Sequence, residues 1–246
     1  MAQFLPIPHC PTKSVALCAV GEAYPQVCEQ LLKQNIEIFT ISANELLSEP
    51  VRSHPDLQLG MLTGECIAIG KGENGLQNRL EQFGFSTVET AFPLSDQYPQ
   101  EAVLDFLSLG EKIIGNHDIL KKNNLLNNSQ SIHVKQGYAK CSIAVISSTA
   151  LITADQTIAA VCIKHGFDVL QIRPGYIELP GYDYGFIGGC CGLIAPDQLA
   201  VCGDLRTHPD YERLAAFMQK HHVTALPLIN GTLQDIGGII PMKQRK

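Results

Sequence analysis

The sequence predicts one α/β domain built as a closed five-bladed propeller of ββαβ units. Three observations lead to this prediction. Short apolar strand patterns alternate with helical patterns along the chain, and Gly, Asn or Asp stands at most junctions. The two strands before each helix are also separated by only one to a few residues. Such separations fit antiparallel hairpins better than the crossovers of the main alternative, a doubly wound parallel sheet.

Four units follow one another between residues 54 and 230. Their segments, in the order first strand, second strand, helix and third strand, are DLQLGML, ECIAIG, ENGLQNRLEQFG and FSTVETA; DFLSLG, KIIGN, DILKKNNLL and SIHVKQG; CSIAVIS, ALITAD, QTIAAVCIKHG and FDVLQIR; and DYGFIGGCCGLI, LAVCGD, YERLAAFMQKHH and VTALPLI. The third unit is the clearest, because its helix has apolar residues at three- and four-residue spacing and is followed by Gly166.

The two ends of the chain supply the pieces of a fifth unit. SVALCAV, AYPQVCEQLLKQ and IEIFTIS provide a second strand, a helix and a third strand, and DIGGIIPM near the C-terminus provides a first strand. Pairing of the C-terminal strand with the N-terminal unit would close the array and remove its free edges. We therefore predict a single domain over residues 1–246.

Composition and charge narrow the classes of function. Of the 246 residues, 45% are apolar and 17% charged, as in a globular protein. The net charge of −6, with no basic tract, argues against nucleic-acid and anionic-membrane partners and favours a small cationic ligand. No apolar run reaches the length of a membrane span, and the first residues lack a signal-peptide pattern. We predict a cytoplasmic protein.

The nine cysteines form no CxxC pair and are scattered along the chain. They make a poor disulfide or zinc framework, so no metal and no cofactor are predicted. Cys18, Cys66, Cys162 and Cys202 stand in apolar stretches and are expected to be buried, structural thiols.

An acidic site is predicted where the first strands of the units would line a central channel. The positions set as equivalent are Asp56, Asp105, Cys141, Asp183 and Asp235. Carboxylates grouped in this way could hold a guanidinium or ammonium ion, and their mutual repulsion would raise some of their pKa values. The alternative is that these aspartates are turn formers or solvated surface residues.

Cys141 and His54 are candidate catalytic residues. Lys140 beside Cys141 would lower the pKa of the thiol and is itself a candidate ligand-binding residue. Adjacent residues of a strand point to opposite faces, however, which favours a buried core thiol. His54 could act as a proton shuttle beside Asp56, or it could lie in a surface turn.

The segment ELPGYDYGFIGG, residues 178–189, combines glycines, aromatic residues and two acids. Glu178 and Asp183 could neutralise a planar cation that stacks on the aromatic rings. The alternative is a tight loop that leads into a core strand.

The order of units resembles the pentein fold of the guanidino-group-modifying superfamily, which includes arginine and agmatine deiminases, dimethylarginine hydrolases and amidinotransferases. GGIIPM, residues 237–242, resembles the glycine-rich strand with the catalytic cysteine, and GYAKCSIAVIS, residues 137–147, resembles the strand with the catalytic histidine. QGYAKCS, ELPGYDYGFIGG and LQDIGGIIP together are most similar to an uncharacterised bacterial branch.

The resemblance implies a Cys nucleophile, a His that moves protons and acids that hold the guanidinium. Here the cysteine position is Pro241, and the histidine position falls on Tyr138 or Lys140. The first hypothesis is therefore a protein that binds a small cationic, guanidino or amino-acid-like ligand, with no established catalysis. The alternatives are a non-catalytic interaction factor, as in a ribosome anti-association factor of this fold, and a guanidino-modifying hydrolase or transferase that uses Cys141 or an Asp base. The oligomeric state is left undetermined by the sequence.

Overall fold

The computed structural model describes residues 2–126 and 130–246. The helices are α1 Pro25–Lys33, α2 Asn74–Gln82, α3 His117–Lys122, α4 Gln156–Lys164 and α5 Tyr211–Lys220. The strands are β1 Ala2–Phe4, β2 Val15–Gly21, β3 Glu37–Ile41, β4 Gly60–Met61, β5 Cys66–Ile69, β6 Ser86–Glu89, β7 Leu107–Leu109, β8 Lys112–Gly115, β9 Gln130–His133, β10 Ile143–Ser147, β11 Ala150–Thr153, β12 Asp168–Gln171, β13 Ile177–Glu178, β14 Cys191–Ala195, β15 Gln198–Val201, β16 Thr224–Pro227, β17 Leu233–Gln234 and β18 Ile240–Arg245.

Four three-stranded sheets share one plan. Each has an antiparallel pair, then a helix, then a third strand parallel to the second. The sheets are β4-β5-β6, β7-β8-β9, β10-β11-β12 and β14-β15-β16. A helix joins the two parallel strands in every case, because parallel neighbours need a long connection.

The two ends of the chain share the remaining large sheet, which has the order β1-β18-β2-β3. β18 runs antiparallel to β2, with Ile240 opposite Ala19, and β2 runs parallel to β3, with Leu17 opposite Glu37. The C-terminal strand thus takes the place of a first strand in the N-terminal unit.

The helix α4 shows how the local sequence sets these units. The Asp155 carboxylate accepts hydrogen bonds from the amides of Thr157 at 2.7 Å and Ile158 at 3.0 Å, which caps the helix at its N-terminus. Ile158 and Cys162 are fully buried one turn apart, so this helix face packs on the sheet. Gly166, at φ +85°, ends the turn that follows.

Burial decreases from the first two strands of each unit to the third. In β5, Ile67, Ala68 and Ile69 are fully buried, whereas β6 is mostly exposed. Strands that are covered on both faces consist of continuous apolar residues, and the second strands are easily recognised in the sequence for this reason. The interior therefore contains the segments that lead into the first strands. The third strands of the four three-stranded sheets are the more exposed, whereas β3 keeps Phe39 and Ile41 buried.

Two details differ from the predicted elements. The run DYGFIGGCCGLI is not one strand, because β14 begins at Cys191 after a short 3-10 turn, Ile187–Cys190. Asp183 therefore does not occupy a first-strand position. Lys140 and Cys141 lie in a turn before β10, so strand alternation does not set their directions.

Among residues 2–126 and 130–246, no helix is long and apolar enough to cross a bilayer.

Candidate functional site

A cavity of about 280 Å³ brings together residues from distant parts of the chain. The predicted residues on its wall are His54, Asp56, Asp105, Cys141, Asp183 and Asp235. Asp56 lies in a 3-10 turn before β4, Asp105 lies just before β7, and Asp235 directly follows β17. The segments that lead into the first strands thus bring these side chains to one place.

Asp56 and Asp105 are both 1% exposed, and each keeps one carboxylate oxygen without a hydrogen-bond partner in the described part of the chain. These atoms are Oδ1 of Asp56 and Oδ2 of Asp105. The other oxygens are used, since Lys140 Nζ lies 3.2 Å from Asp56 Oδ2 and the Cys141 amide donates to Asp105 Oδ1 at 2.8 Å. Buried, unpaired acceptors of this kind cost free energy until a donor reaches them.

The electrostatics of the cavity favour the protonated form of Asp105. Burial raises the pKa of this carboxyl well above its ordinary value, and the charge of Asp56 adds to the effect. Burial also raises the pKa of Asp56, although the ammonium of Lys140 opposes that change. A cation in the cavity would favour ionisation of both groups.

Lys140 does not line this cavity. Its Nζ donates to Asp56 Oδ2, to the carbonyl of Gly188 at 3.1 Å and to the carbonyl of Gly237 at 3.3 Å. These three contacts use the three donors of an ammonium group. Burial is the largest single influence on the pKa of Lys140 and lowers it, but the surrounding acidic groups, led by Asp56, together outweigh burial, so the net shift is upward. Lys140 is thus the ion-pair partner of Asp56.

Asp235 is held by donors on both oxygens. Its Oδ2 accepts hydrogen bonds from the Phe186 amide at 2.8 Å and the Cys141 thiol at 3.3 Å, and its Oδ1 accepts one from the Gly237 amide at 3.0 Å. Gly189 makes this position possible, because a Cβ there would lie 2.0 Å from Asp235 Oδ1. The carboxylate is fixed by the backbone around it.

The thiol of Cys141 is held in its neutral form. Burial raises its pKa well above the ordinary value, and Asp235, Asp56 and Asp105 add to the increase. Lys140 acts in the opposite direction but is the smallest of these influences. Lys140 thus lowers this pKa as expected, but the net shift is upward, so the prediction of an activated thiol with a lowered pKa is wrong.

His54 is 2% exposed and does not lie in a surface turn. Its Nδ1 is 3.9 Å from Asp235 Oδ1, and its Nε2 lies 3.1 Å from the Tyr24 hydroxyl. The ring thus faces Asp235 and Tyr24.

The outer part of the cavity is aromatic and acidic. Tyr182 and Tyr184 are 45% and 43% exposed, and Asp183 beside them is exposed. Phe186 stacks on Tyr138 with ring centroids 6.2 Å apart. Glu178 is exposed and lines an adjoining cavity of about 460 Å³ rather than this one.

Two residues of the site had no signal in the sequence. Glu101 is 6% exposed, lines the cavity and accepts a hydrogen bond from the Tyr138 hydroxyl. Tyr24 contacts His54 from the turn before α1. Neither belongs to a motif, and both reach the site through tertiary packing.

The four cysteines expected to be buried do not all behave alike. Cys18, Cys162 and Cys202 are fully buried, and burial raises the pKa of each, to about 11 for Cys162. Cys66, the first residue of β5, is only half-buried. The prediction was wrong for Cys66 because the strand begins at the surface.

One group of side chains has a possible metal-ligand arrangement. One donor atom from each of Asp56, Asp105 and Cys141 lies within 4.8 Å of the others. Zn²⁺ accepts both carboxylate and thiolate ligands. Binding would require deprotonation of a thiol whose pKa is raised and would place a dication beside Lys140. The arrangement suits a monovalent cation better.

The run GKGENG, residues 70–75, has the spacing of a dinucleotide-binding loop between β5 and α2. Its amides are already used by side chains, since Gly72 N–H donates to Glu89 Oε1 at 2.9 Å and Lys71 N–H donates to Thr90 Oγ1 at 3.0 Å. The side chains of Glu89 and Thr90 thus occupy two of the backbone donors that a bound phosphate would need.

Solved structures similar to this chain come from guanidino-modifying enzymes. Inosamine-phosphate amidinotransferase StrB1 from Streptomyces griseus matches with a TM-score of 0.63 and 12% identity, over 99% of this chain and 98% of that one. A DDAH variant from Pseudomonas aeruginosa, complexed with citrulline, matches with a TM-score of 0.54 and 11% identity, over 95% of this chain and 100% of that one. Agmatine deiminase from C. jejuni matches with a TM-score of 0.51 and 11% identity, over 90% of each chain. At these identities the similarity shows the fold alone, the mixed α/β fold that these structures share.

None of the curated proteins compared with the chain matches it significantly. A family model matches residues 19–240. The chain belongs to this family, DUF6873, which is described as a family of unknown function.

Proposed function

We propose that this protein binds a small cation of the guanidinium or ammonium type in the 280 Å³ cavity, with Asp56 and Asp105 as its main contacts. One observation carries the proposal: two buried carboxylates on the cavity wall each keep an oxygen with no partner in the described chain. A guanidinium presents several N–H donors in one plane and can donate to both oxygens at once.

The charge balance around Asp56, Asp105 and Asp235 supports one monovalent cationic group in this cavity. Lys140 compensates Asp56, the amides of Phe186 and Gly237 stabilise Asp235, and the Tyr138 hydroxyl donates to Glu101. Asp105 is buried and has neither a charged partner nor a donor for its Oδ2 among the described residues. One bound cation would supply that charge. The ring faces of Tyr182, Tyr184 and Phe186 would add a cation–π contribution.

The domain architecture around the cavity is also part of the proposal. We infer that residues 1–246 form one domain in which five units close as a five-bladed propeller around the cavity. The shared plan of the sheets, the pairing of β18 with β2 and the exposed third strands support this arrangement. The cytoplasmic location and the absence of nucleic-acid and membrane partners stay predictions.

The similar structures support a guanidino group as the end that enters the cavity. Their names refer to agmatine, to amidino transfer and to a complex with citrulline. For this chain, the family positions for the nucleophile and the base are Pro241 and Tyr138 or Lys140. Ligand binding is therefore proposed ahead of turnover.

A guanidino-modifying hydrolase or transferase reaction is the second candidate. Cys141 lines the cavity and its thiol donates a hydrogen bond to Asp235, which favours this reaction. Cys141 would attack the guanidinium carbon, Asp235 would accept the thiol proton, and His54 would pass it to the leaving nitrogen. Cleavage of that C–N bond would release ammonia or an amine, and water or an acceptor amine would then displace the Cys141 thiolate from the adduct. The raised pKa of the thiol opposes this reaction. Release of ammonia or amine from a bound ligand, lost in Cys141→Ser, would establish it.

Binding is tested by thermal shift and calorimetry with methylguanidine, agmatine, arginine, creatine and polyamines. A ligand at about 100 times its dissociation constant adds about 2.7 kcal/mol of stability. We expect a shift with wild-type protein, its loss in Asp105→Asn, and its retention in the control Asp197→Asn, an exposed residue of the β14–β15 turn. Absence of any shift with every compound would contradict the proposal.

A further inference from the structure

A second cavity borders the aromatic rim of the first. It has a volume of about 460 Å³, and both cavities are lined by Leu179, Tyr182 and Asp183. A ligand long enough to reach past these three residues, with its cationic end at Asp56 and Asp105, would enter the cavity that Glu178 lines. The chemistry of this outer part determines what the other end of the ligand carries.

The walls of the two cavities are charged with one sign. Asp56, Glu101, Asp105 and Asp235 line the inner cavity, Glu178 lines the outer one, and Asp183 lines both. Among residues 2–126 and 130–246, no lysine or arginine lines either cavity. Arginine and lysine are the side chains that recognise carboxylates and phosphates. An anionic group on the ligand would have no counter-ion and would lie near Glu178 and Asp183.

The outer surface can instead accept a second cation. Asp183 and Glu178 are exposed acids, and Tyr176 and Tyr182 beside them are 48% and 45% exposed. An ammonium group can lie on such rings while it pairs with a carboxylate. The inner part is marked independently as a site by the unpartnered, buried oxygens of Asp56 and Asp105.

We propose that the ligand carries no anionic group, an inference that rests on the proposed function. The ligand is a guanidinoalkylamine or a diamine with a cation at each end, and not an α-amino acid. This assignment separates the protein from the similar DDAH structure, which is complexed with the amino acid citrulline. Asp183 and Glu178 are the residues that determine this specificity.

The test is calorimetry with two compounds that differ by one carboxylate, agmatine and arginine. Agmatine is expected to bind at least about tenfold more tightly, because like charges placed together disfavour binding. The methyl ester of arginine, whose carboxylate is neutralised, is expected to recover most of the difference. Equal affinity for agmatine and arginine would overturn this inference and leave the proposed function in place. Failure of every cation to bind would overturn both.

Charge reversal provides the second arm of the test. Asp183→Lys and Glu178→Lys are expected to reduce the preference for agmatine over arginine, since each supplies a partner for the carboxylate. Both residues are exposed, and a thermal melt checks that the variants are folded. Glu212→Lys, on α5 and outside both cavities, is the matched control and should keep the wild-type preference. An unchanged preference in both cavity variants would contradict the inference.

Discussion

Asp105 accepts a hydrogen bond of 2.8 Å from the amide of Cys141, 36 residues further along the chain. This bond ties the segment before β7 to the turn before β10 and fixes the orientation of the carboxyl group. It leaves Oδ2 buried and without a partner in the described residues. The bond lowers the pKa of Asp105, but burial and the charge of Asp56 raise this pKa by a larger amount, so the net shift is upward. The properties of the cavity depend on this balance.

Asp105→Asn is expected to stabilise the ligand-free protein, and the gain should grow between pH 5 and pH 8. The folded-state pKa of Asp105 is raised, so the folded state holds a proton that the unfolded state has lost. In the wild-type protein, the contribution of Asp105 to the free energy of unfolding is favourable at low pH. It falls as pH rises through the raised pKa, by at most about 1.4 kcal/mol per pH unit. Urea unfolding measures the effect, with Asp197→Asn as the control. A loss of stability at pH 8 would contradict the assignment.

Cation binding is expected to strengthen as pH rises and to release a proton. The ligand needs the ionised carboxylate of Asp105, and the raised pKa of this group favours its protonated form in the ligand-free protein. Calorimetry in two buffers with different ionisation enthalpies measures the number of protons released. Binding heats that reveal proton uptake, or no proton exchange at any pH from 5 to 8, would rule out Asp105 as the contact.

Lys140→Met is expected to destabilise the protein by about 3–5 kcal/mol, because it leaves the buried carboxylate of Asp56 without its partner. The double variant Lys140→Met with Asp56→Asn should recover part of this loss. Urea unfolding of the four proteins in the cycle gives the coupling free energy. Strictly additive losses would show that the two residues do not act as a pair.

Gly238→Ala is expected to destabilise the protein more than Gly231→Ala. Both glycines have positive φ, +80° and +98°, so both substitutions carry the left-handed strain of about 1–2 kcal/mol. A Cβ at position 238 would also lie 2.0 Å from Lys140 Nζ, whereas nothing lies within 4 Å of one at position 231. Thermal unfolding of the two variants compares them directly. Equal losses would mean that Lys140 is not held against Gly238.

The repeated plan of strands and helices was accessible from the sequence because it depends on local patterns. Fully apolar second strands such as β5 and capped helices such as α4 carry strong short-range signals. The pairing of the chain ends could also be inferred, because the leftover N-terminal and C-terminal pieces completed one unit.

The chemistry of the cavity was less accessible because it depends on contacts between distant residues. Lys140 and Asp56 are 84 positions apart, and no local pattern shows that they form a buried pair. The turn that contains Cys141 resembled a strand because the residues after it are apolar. Asp183 was aligned with a first strand, whereas glycine-rich residues occupy that place and leave room for Asp235.

A crystal structure of the wild-type protein with agmatine would test the central claim most directly. We predict that the guanidinium lies within hydrogen-bond distance, about 2.7–3.2 Å, of Asp56 Oδ1 and Asp105 Oδ2, with the amine towards Asp183 and Glu178. Electron density for agmatine elsewhere on the protein, with both carboxylate oxygens still unpaired, would contradict the account.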